Sequence, residues 1–365
     1  MVKIRPVKMN SDVKVKEIAR ILVDHSCRVQ KGEIVQIIAG IPSRPLIVEL
    51  CKRIVQKGAF PRVHVDFEGL NYSFYKYASK DMLQDFPELD YEEMKKSDAI
   101  MFIGAPENRY ELAAISPDAI TLRSKTLRKI TEERLKKKWV IFDWPVKDFA
   151  DDAQMSLPEF RKFVFDSCIQ DWNKLKGLMS KVKKVIDHGK KVRIVSKDTD
   201  LTFGIRNRPA AIGFGLNNMP DGEVWTAPEE DTTEGYVTFT YPLIVLGRKI
   251  EGIRLEFKKG KVVKACAKSN LDALDHLLKT DQGSRKLGEL GIGCNFKIKR
   301  FSNLLLFDEK IGGTIHLALG NAYKENNGKN VSAVHADIVK DLRPPYLGEV
   351  WVDDRLLIKD GKLLV

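Results

Sequence analysis

The sequence Glu33-Ile-Val-Gln-Ile-Ile-Ala39 is a short apolar run of the kind that forms a buried strand. Helical patterns lie on either side of it, at residues 12–29 and 43–56. The alternation continues with apolar runs at residues 62–67, 98–104 and 138–143, each preceded by a helical stretch. Strands that alternate with helices predict a parallel sheet covered on both faces, so we expect a doubly wound α/β domain in this half of the chain.

The second half of the chain has a different pattern. Residues 158–188 predict a long, partly basic helical connector, and short strands and hairpins follow from Lys191 onward. One helix is predicted at residues 271–278, and a short helical stretch is predicted to carry Glu289. Because 365 residues exceed what one hydrophobic core usually serves, we predict two domains. These are an N-terminal α/β scaffold at 1–190 and a β-rich α+β domain at 191–365.

The first half lacks the signatures of a nucleotide-binding domain. Gly40-Ile-Pro-Ser-Arg-Pro follows the first strand, where a dinucleotide site has Gly-x-Gly-x-x-Gly, and no Gly-x-x-x-x-Gly-Lys-Ser/Thr motif occurs. The net charge of +12 would suit nucleic acid, but basic and acidic residues are interspersed and no nucleic-acid-binding motif accompanies them. We therefore predict neither a nucleotide cofactor nor a nucleic-acid partner.

Cysteine usage and hydropathy indicate the compartment. The five cysteines are scattered and form no Cys-x-x-Cys pair, which argues against a disulfide framework and against a thiolate zinc site. No apolar run approaches the roughly 20 residues that span a bilayer. The N-terminus lacks the apolar core and cleavage site of a signal peptide. The expected location is the cytoplasm, with no membrane partner.

Two glutamates lie in apolar surroundings that are unfavourable for a lone charge. Glu223 stands between a Pro-Asp-Gly turn and the β-prone Val-Trp-Thr run that precedes Pro228. Glu289 comes directly before Leu-Gly-Ile-Gly. A buried carboxylate is costly, on the order of several kcal/mol, unless it is paired or bound to a metal. Both positions are therefore candidates for metal ligands.

Two histidines extend this set. On a strand, His335 and Asp337 point to the same face and can converge on one ion, although a hydrogen-bonded polar strand face is the alternative. His316 lies between glycines among apolar neighbours, which indicates burial. A buried histidine can equally be a hydrogen-bonded core residue. Neither pattern alone distinguishes a metal ligand from a hydrogen-bonded structural residue.

Glu309 is the least defined candidate, because Asp308 could serve equally and a surface turn is the alternative. Tyr323 follows His316 after a Gly-Asn turn and would on its own be assigned to the core. The ligand types in the set are carboxylates and imidazoles without cysteine, which suits paired Zn, Co or Mn ions with bridging carboxylates. The candidate ligands are Glu223, Glu289, Glu309, His316, His335 and Asp337.

Several motifs together resemble one protein family over essentially the whole chain. They are Asn218-Met-Pro-Asp-Gly-Glu-Val-Trp-Thr-Ala-Pro228, Leu287-Gly-Glu289, Phe307-Asp-Glu309 with His316-Leu-Ala-Leu-Gly-Asn-Ala-Tyr323, and Val334-His-Ala-Asp337. These motifs, in this order, resemble the thermophilic metalloaminopeptidase family (the aminopeptidase T, aminopeptidase S and PepS type). The resemblance implies a cytoplasmic, dimeric exopeptidase that removes N-terminal residues from short peptides through a water activated by two metals.

The resemblance also assigns roles to individual residues. It implies that two divalent ions (Zn, Co, Mn or Mg) are bound by Glu223, Glu289, His316, His335 and Asp337. Glu289 is implied to bridge the ions, and a role as general base is the alternative. Tyr323 matches the active-site tyrosine, and Glu309 matches an acidic position beside the metals.

The sequence departs from the family at three places. Trp225 stands where the family commonly has Phe, the loop between Glu309 and His316 is longer, and the loop between Tyr323 and His335 is short. The loop changes concern cavity shape and therefore substrate choice. Two other functions stay open: a metal-dependent amidohydrolase for a non-peptide amide, and a basic binding protein without catalysis.

Overall fold

The computed structural model describes residues 12–245 and 247–365. The chain divides into two compact units. The first comprises the residues up to Ile169 together with Gly215–Met219, and the second comprises Gln170–Phe214 and Pro220–Val365. The division therefore falls after Ile169, whereas the sequence placed a domain boundary near residue 190.

The strands are numbered in chain order. They are β1 Ile34–Gly40, β2 Phe60–Asp66, β3 Ala99–Gly104, β4 Lys138–Asp143, β5 Lys191–Ser196, β6 Thr199–Gly204, β7 Ala211–Gly213, β8 Asn218–Met219, β9 Glu223–Thr226, β10 Glu234–Thr238, β11 Leu243–Val245, β12 Arg248–Ile250, β13 Arg254–Lys258, β14 Lys261–Cys266, β15 Leu287–Gly293, β16 Thr314–Gly320, β17 His335–Asp341, β18 Gly348–Val352, β19 Arg355–Lys359 and β20 Lys362–Leu363.

The helices surround these strands. They are α1 Val13–Arg20, α2 Arg44–Gln56, α3 Leu70–Tyr77, α4 Lys80–Gln84, α5 Glu88–Lys96, α6 Pro117–Thr126, α7 Arg128–Arg134, α8 Lys147–Asp152, α9 Leu157–Cys168, α10 Trp172–His188, α11 Leu271–Leu278 and α12 Leu305–Asp308. A π-helical turn, Ile21–Ser26, continues α1. In the described part of the chain, none of these helices has the length and apolar character needed to cross a membrane.

The first unit is the predicted doubly wound sheet. Its strand order is β2-β1-β3-β4-β8, and all neighbours are parallel. The chain winds from β1 to β2 on one side and to β3 on the other, so helices cover both faces. The interior of the sheet is apolar, with Val35, Ile37, Met101 and Val140 fully buried. The sequence prediction of this fold class is confirmed.

The second unit is rich in strands, also as predicted. An eight-stranded sheet has the order β14-β13-β10-β6-β5-β18-β19-β20. A five-stranded antiparallel sheet has the order β17-β16-β15-β9-β7. The chain enters β9 after a short turn that follows β8, which itself belongs to the first unit. The five-stranded sheet carries most of the candidate ligands.

The expected helical connector at residues 158–188 consists of two helices, α9 and α10. Ile169 leaves the helical conformation with ψ 90°, which ends α9. The side chain of Asp171 then accepts a hydrogen bond from the Lys174 backbone N–H and caps a new helix. The predicted connector is therefore helical but interrupted at residues 169–171.

The predicted helical stretch at Glu289 is also wrong. A short 3-10 turn, Gly283–Arg285, ends before it, and Glu289 lies on β15. Every residue of β15 is buried, because β16 and β9 pair with it on its two sides. The three glycines in Leu-Gly-Glu-Leu-Gly-Ile-Gly disfavour a helix here, and pairing with β9 and β16 makes the segment a strand.

Asp143, at the end of β4, makes stability depend on pH. Burial raises the pKa of its carboxyl to about 6, compared with about 3.9 in an unfolded chain. The fold therefore favours the neutral acid. The contribution of Asp143 to the free energy of unfolding is fully present below about pH 4 and is lost as the pH rises through about 6.

Replacing Asp143 by asparagine keeps a neutral side chain at every pH. We expect Asp143→Asn to raise the free energy of unfolding by about 1–2 kcal/mol at about pH 7.5 and to change it little at about pH 4. Urea denaturation at both pH values measures the difference. Asp354→Asn, in an exposed turn, is the control. An equal effect of Asp143→Asn at both pH values would contradict the assignment.

Candidate metal centre

The candidate ligands share one face of the five-stranded sheet. Residues opposite each other on paired strands point to the same side, as do residues two apart on one strand. Asp337 lies opposite Ala318, which lies opposite Glu289. His335 is two residues from Asp337 on the same strand, and His316 is two residues from Ala318. The registers of β15, β16 and β17 therefore gather these side chains on the same face, which we call the ligand face.

Small residues alternate with the ligands on this face. Gly291 lies opposite His316, and Gly293 lies opposite Glu223 at the start of β9. The His316 ring covers Gly291 so closely that a Cβ there would lie 1.9 Å from its Cε1 and Nε2 atoms. The opposite face of the same strands is apolar, with Leu290, Ile292, Ile315 and Leu317 buried. The sheet is thus buried on both sides, and the candidate ligands lie on one of them.

The segment after α12 packs against the ligand face and brings Glu309 to the site. The Ile311 carbonyl lies where a Cβ of Gly293 would be, so only glycine allows this approach. Asp308 turns away and accepts hydrogen bonds from the backbone N–H and the hydroxyl of Ser302. Of the two acids that the sequence left open, Glu309 is therefore the one near the other ligands.

Both histidines have their outer ring nitrogen held by backbone. Nδ1 of His316 lies 3.1 Å from the Glu309 carbonyl oxygen, and Nδ1 of His335 lies 2.8 Å from the Asn321 carbonyl oxygen. A carbonyl only accepts, so Nδ1–H is the donor in each ring. The neutral ring then directs the lone pair of Nε2 toward the carboxylates, as metal-binding histidines do.

Glu289 lies between the two histidines. Its Oε1 is 3.0 Å from His316 Nε2, and its Oε2 is 3.7 Å from His335 Nε2. Glu223 Oε2 is 3.6 Å from His316 Nε2, and Asp337 Oδ1 is 3.5 Å from His335 Nε2. Both imidazoles thus face Glu289, and Asp337 Oδ1 lies 4.0 Å from His316 Nε2 as well.

The ligand atoms form two groups whose members lie within 4.8 Å of one another. The first, which we call the Glu223 half-site, contains Glu223, Glu309 and His316. The second, the Asp337 half-site, contains Glu289, His335 and Asp337. Oxygen and imidazole donors in such numbers fit Zn²⁺, Co²⁺ or Mn²⁺.

Unsatisfied oxygens show that the site favours cations. Glu223 Oε2, Glu289 Oε2 and Asp337 Oδ1 are buried and have no hydrogen-bond partner among the described residues. Leaving several such atoms in one place is unfavourable without a cation. The residues present therefore fit divalent metal ions.

The pKa values of these groups follow from the same crowding. Burial raises the pKa of Glu223 to about 8 and raises the pKa of Glu289 above its ordinary value. Burial alone would lower the pKa of the two imidazoles, but neighbouring carboxylates, Glu289 foremost for His316 and Asp337 for His335, raise them to about 10 and about 9. Protons and metal ions therefore compete for this site.

Two further side chains complete the surroundings. Tyr323 lies at the rim, 42% exposed, with its ring centroid 5.0 Å from that of His335. Lys310 is fully buried and pairs with Glu309 and Glu223. The sequence patterns did not single out Lys310, because a lysine beside a glutamate is usually a solvated surface pair. The apolar residues Phe307 and Ile311, three positions before and one position after it, were the available signal.

Such a buried set of carboxylates and imidazoles defines a metal-dependent protein, and comparisons with known proteins agree. A sequence model described as thermophilic metalloprotease (M29) matches residues 11–344. The chain belongs to this family. It is therefore a hydrolase that uses divalent metal, as the sequence motifs predicted.

Relatives of known name are similar over most of their length. Aminopeptidase 2 of Geobacillus stearothermophilus is 26% identical, with 94% of each chain covered. Aminopeptidase AmpS of Bacillus subtilis is 28% identical, with 88% of each covered. The structure of wild-type AmpT from Thermus thermophilus has a TM-score of 0.83 at 22% identity and covers 96% of this chain and 99% of that one. This likeness confirms the fold.

Proposed function

We propose that the chain is a metalloaminopeptidase that hydrolyses the N-terminal peptide bond of short peptides at a centre for two divalent ions. The aminopeptidase names of the relatives support the reaction class. The observation that carries the two-ion proposal is Glu289, whose two oxygens face different histidines between the two half-sites. A carboxylate in this position suits a bridge between two cations.

Two bound divalent ions would supply Lewis acidity for activating a water and holding the substrate's free α-amine. Around them, the Nδ1–H donors fix the two imidazole rings in orientation. Glu289 would be the carboxylate shared by the two ions, and a role as general base is the alternative. Burial of the site keeps competing water away from these carboxylates, which strengthens their interactions.

Tyr323 is suited to donate a hydrogen bond during the reaction. Burial and the nearby carboxylates, Glu289 foremost, raise its pKa well above the ordinary value, so the phenol keeps its proton. We propose that this O–H donates to the oxyanion that develops on the scissile carbonyl. Removing one such donor typically costs about 3–4 kcal/mol in transition-state stabilisation.

A cavity beside the Asp337 half-site indicates where substrate side chains lie. It has a volume of about 460 Å³ and is lined by His335 and Asp337 together with apolar residues that include Leu243, Leu277 and Val339. A cavity of this size and lining suits an apolar amino-acid side chain. Short peptides with an apolar first residue are therefore the proposed substrates.

The reaction is tested by removing the metal. We expect chelation to abolish cleavage of a leucyl chromogenic amide, and Zn²⁺, Co²⁺ or Mn²⁺ to restore it, because the carboxylates and imidazoles alone offer no Lewis acid. The same substrate with an acetylated amine is the control, since only an aminopeptidase requires the free amine. Equal cleavage of both substrates would instead support an amidohydrolase for non-peptide amides.

Location and assembly are further parts of the proposal. We propose a cytoplasmic homodimer, in keeping with the family resemblance. None of the five cysteines, all of which lie in the described part of the chain, forms a disulfide, which suits a reducing compartment. Size-exclusion chromatography with light scattering tests the dimer.

A further inference from the structure

Lys310 is an unusual neighbour for a metal centre. It is 0% exposed, although lysine is almost never fully buried unless it is paired. Its Nζ pairs with Glu309 and lies 3.4 Å from Glu223 Oε1. The cation therefore sits among the carboxylates of the Glu223 half-site.

The backbone holds Lys310 in this place. Its N–H donates to the Phe307 carbonyl, and its carbonyl accepts from the Asn295 N–H. The next residue, Ile311, forms an isolated parallel β-bridge with Asn295. Because the residue is pinned on both sides and fully enclosed, its ammonium cannot reach solvent without moving this segment.

The two half-sites consequently differ in charge. The Glu223 half-site has two carboxylates and the Lys310 ammonium, whereas the Asp337 half-site has two carboxylates and no such cation. Among the described residues, only histidines form ion pairs with Glu289 or Asp337. A unit positive charge a few ångströms from a divalent ion in a buried site opposes its binding strongly.

We propose that Lys310 is a built-in cation of the Glu223 half-site, so that the two half-sites load unequally: the Asp337 half-site binds its ion first and tightly, and the Glu223 half-site binds weakly. This inference rests on the proposed two-ion centre. Lys310 pairs with Glu223 and Glu309 and offsets one of their two negative charges when only one ion is bound, which stabilises a fold that would otherwise bury unpaired carboxylates. Activity then depends on the available metal concentration mainly through occupancy of the weakly binding Glu223 half-site.

Metal titration tests the proposal directly. Equilibrium dialysis of the full chain against Zn²⁺ alone, with bound metal measured by mass spectrometry, gives the two affinities without any activity measurement. We expect wild-type protein to bind a second ion at least about tenfold more weakly than the first. Lys310→Met is expected to bind this second ion about 10- to 100-fold more tightly than wild type, at 1.4 kcal/mol per tenfold.

Matched variants make the result specific. Lys340→Met is the control, because Lys340 is also buried but donates to the Thr238 carbonyl, and its affinities should equal those of wild type. Lys310→Gln serves as a second neutral variant if Lys310→Met does not fold. Asp337→Asn should lose the tight binding step, whereas Glu309→Gln should keep it.

The outcomes separate this inference from the proposed function. Two ions bound by wild type with equal affinity, unchanged in the Lys310 variants, would overturn the role of Lys310 and leave the two-ion enzyme intact. Failure of wild type and all variants to bind zinc would overturn both. Tighter second-ion binding in the Lys310 variants alone supports the inference.

Discussion

Glu289→Gln is expected to lower kcat/KM for a leucyl amide at least about 10³-fold, or about 4 kcal/mol at 1.36 kcal/mol per tenfold. The amide has the same shape but lacks the charge that faces both His316 and His335. Because Glu289 is buried among other carboxylates, its neutralisation relieves repulsion and should not destabilise the fold. Steady-state kinetics together with thermal denaturation measures both effects.

Metal content of the same variant separates the two roles that Glu289 could have. If Glu289 is a bridging ligand, Glu289→Gln should lose bound metal. If it is only a general base, the variant should keep its full metal content but have no activity. Glu49→Gln, at another buried glutamate on α2, is the control and should keep normal activity. More than a tenth of wild-type activity in Glu289→Gln would refute the assignment.

Gly291→Ala should impair the centre nearly as much, although glycine is no ligand. The added methyl would lie 1.9 Å from the His316 ring, so the ring must move. His316 is only 1% exposed and has no space to turn into. Because residues that orient a metal ligand typically contribute 10- to 100-fold in affinity, we expect a loss of about 100-fold in zinc affinity, at the upper end of that range.

Dialysis against Zn²⁺ and kinetics on the leucyl amide measure this loss. Gly177→Ala is the matched control: it lies inside α10, nothing lies within 4 Å of the added methyl, and alanine favours the helix by about 1 kcal/mol. Its metal affinity should be unchanged. Wild-type zinc affinity in Gly291→Ala would show that His316 does not need its observed position.

Much of the first unit could be predicted from sequence alone. The apolar runs at residues 33–39 and 98–104 correspond to β1 and β3 within one residue at each end. Their length and their alternation with helices are local properties, which sequence records directly. The helix predicted at Glu289 was wrong because the conformation of this segment is not a local property. The segment forms the strand β15 because it pairs with β9 and β16.

In the candidate metal centre, too, some features follow from local sequence and others only from tertiary packing. His335 and Asp337 could be assigned to one face because alternation along a strand is local. The choice of Glu309 over Asp308 depended on how the segment after α12 packs on Gly293. Nothing in the local sequence states which of two adjacent acids will face a sheet that forms elsewhere in the chain.

The sequence by itself determined the class of both domains, the ligand types and the motifs that place the chain in its family. Only the tertiary structure decided that Gly291 makes room for His316, that the two oxygens of Glu289 face different histidines and that Lys310 is enclosed beside Glu223 and Glu309. The physical reason is that helix and strand periodicity is set by neighbours along the chain. Distances between ligands are set by strand register and packing between segments far apart in sequence.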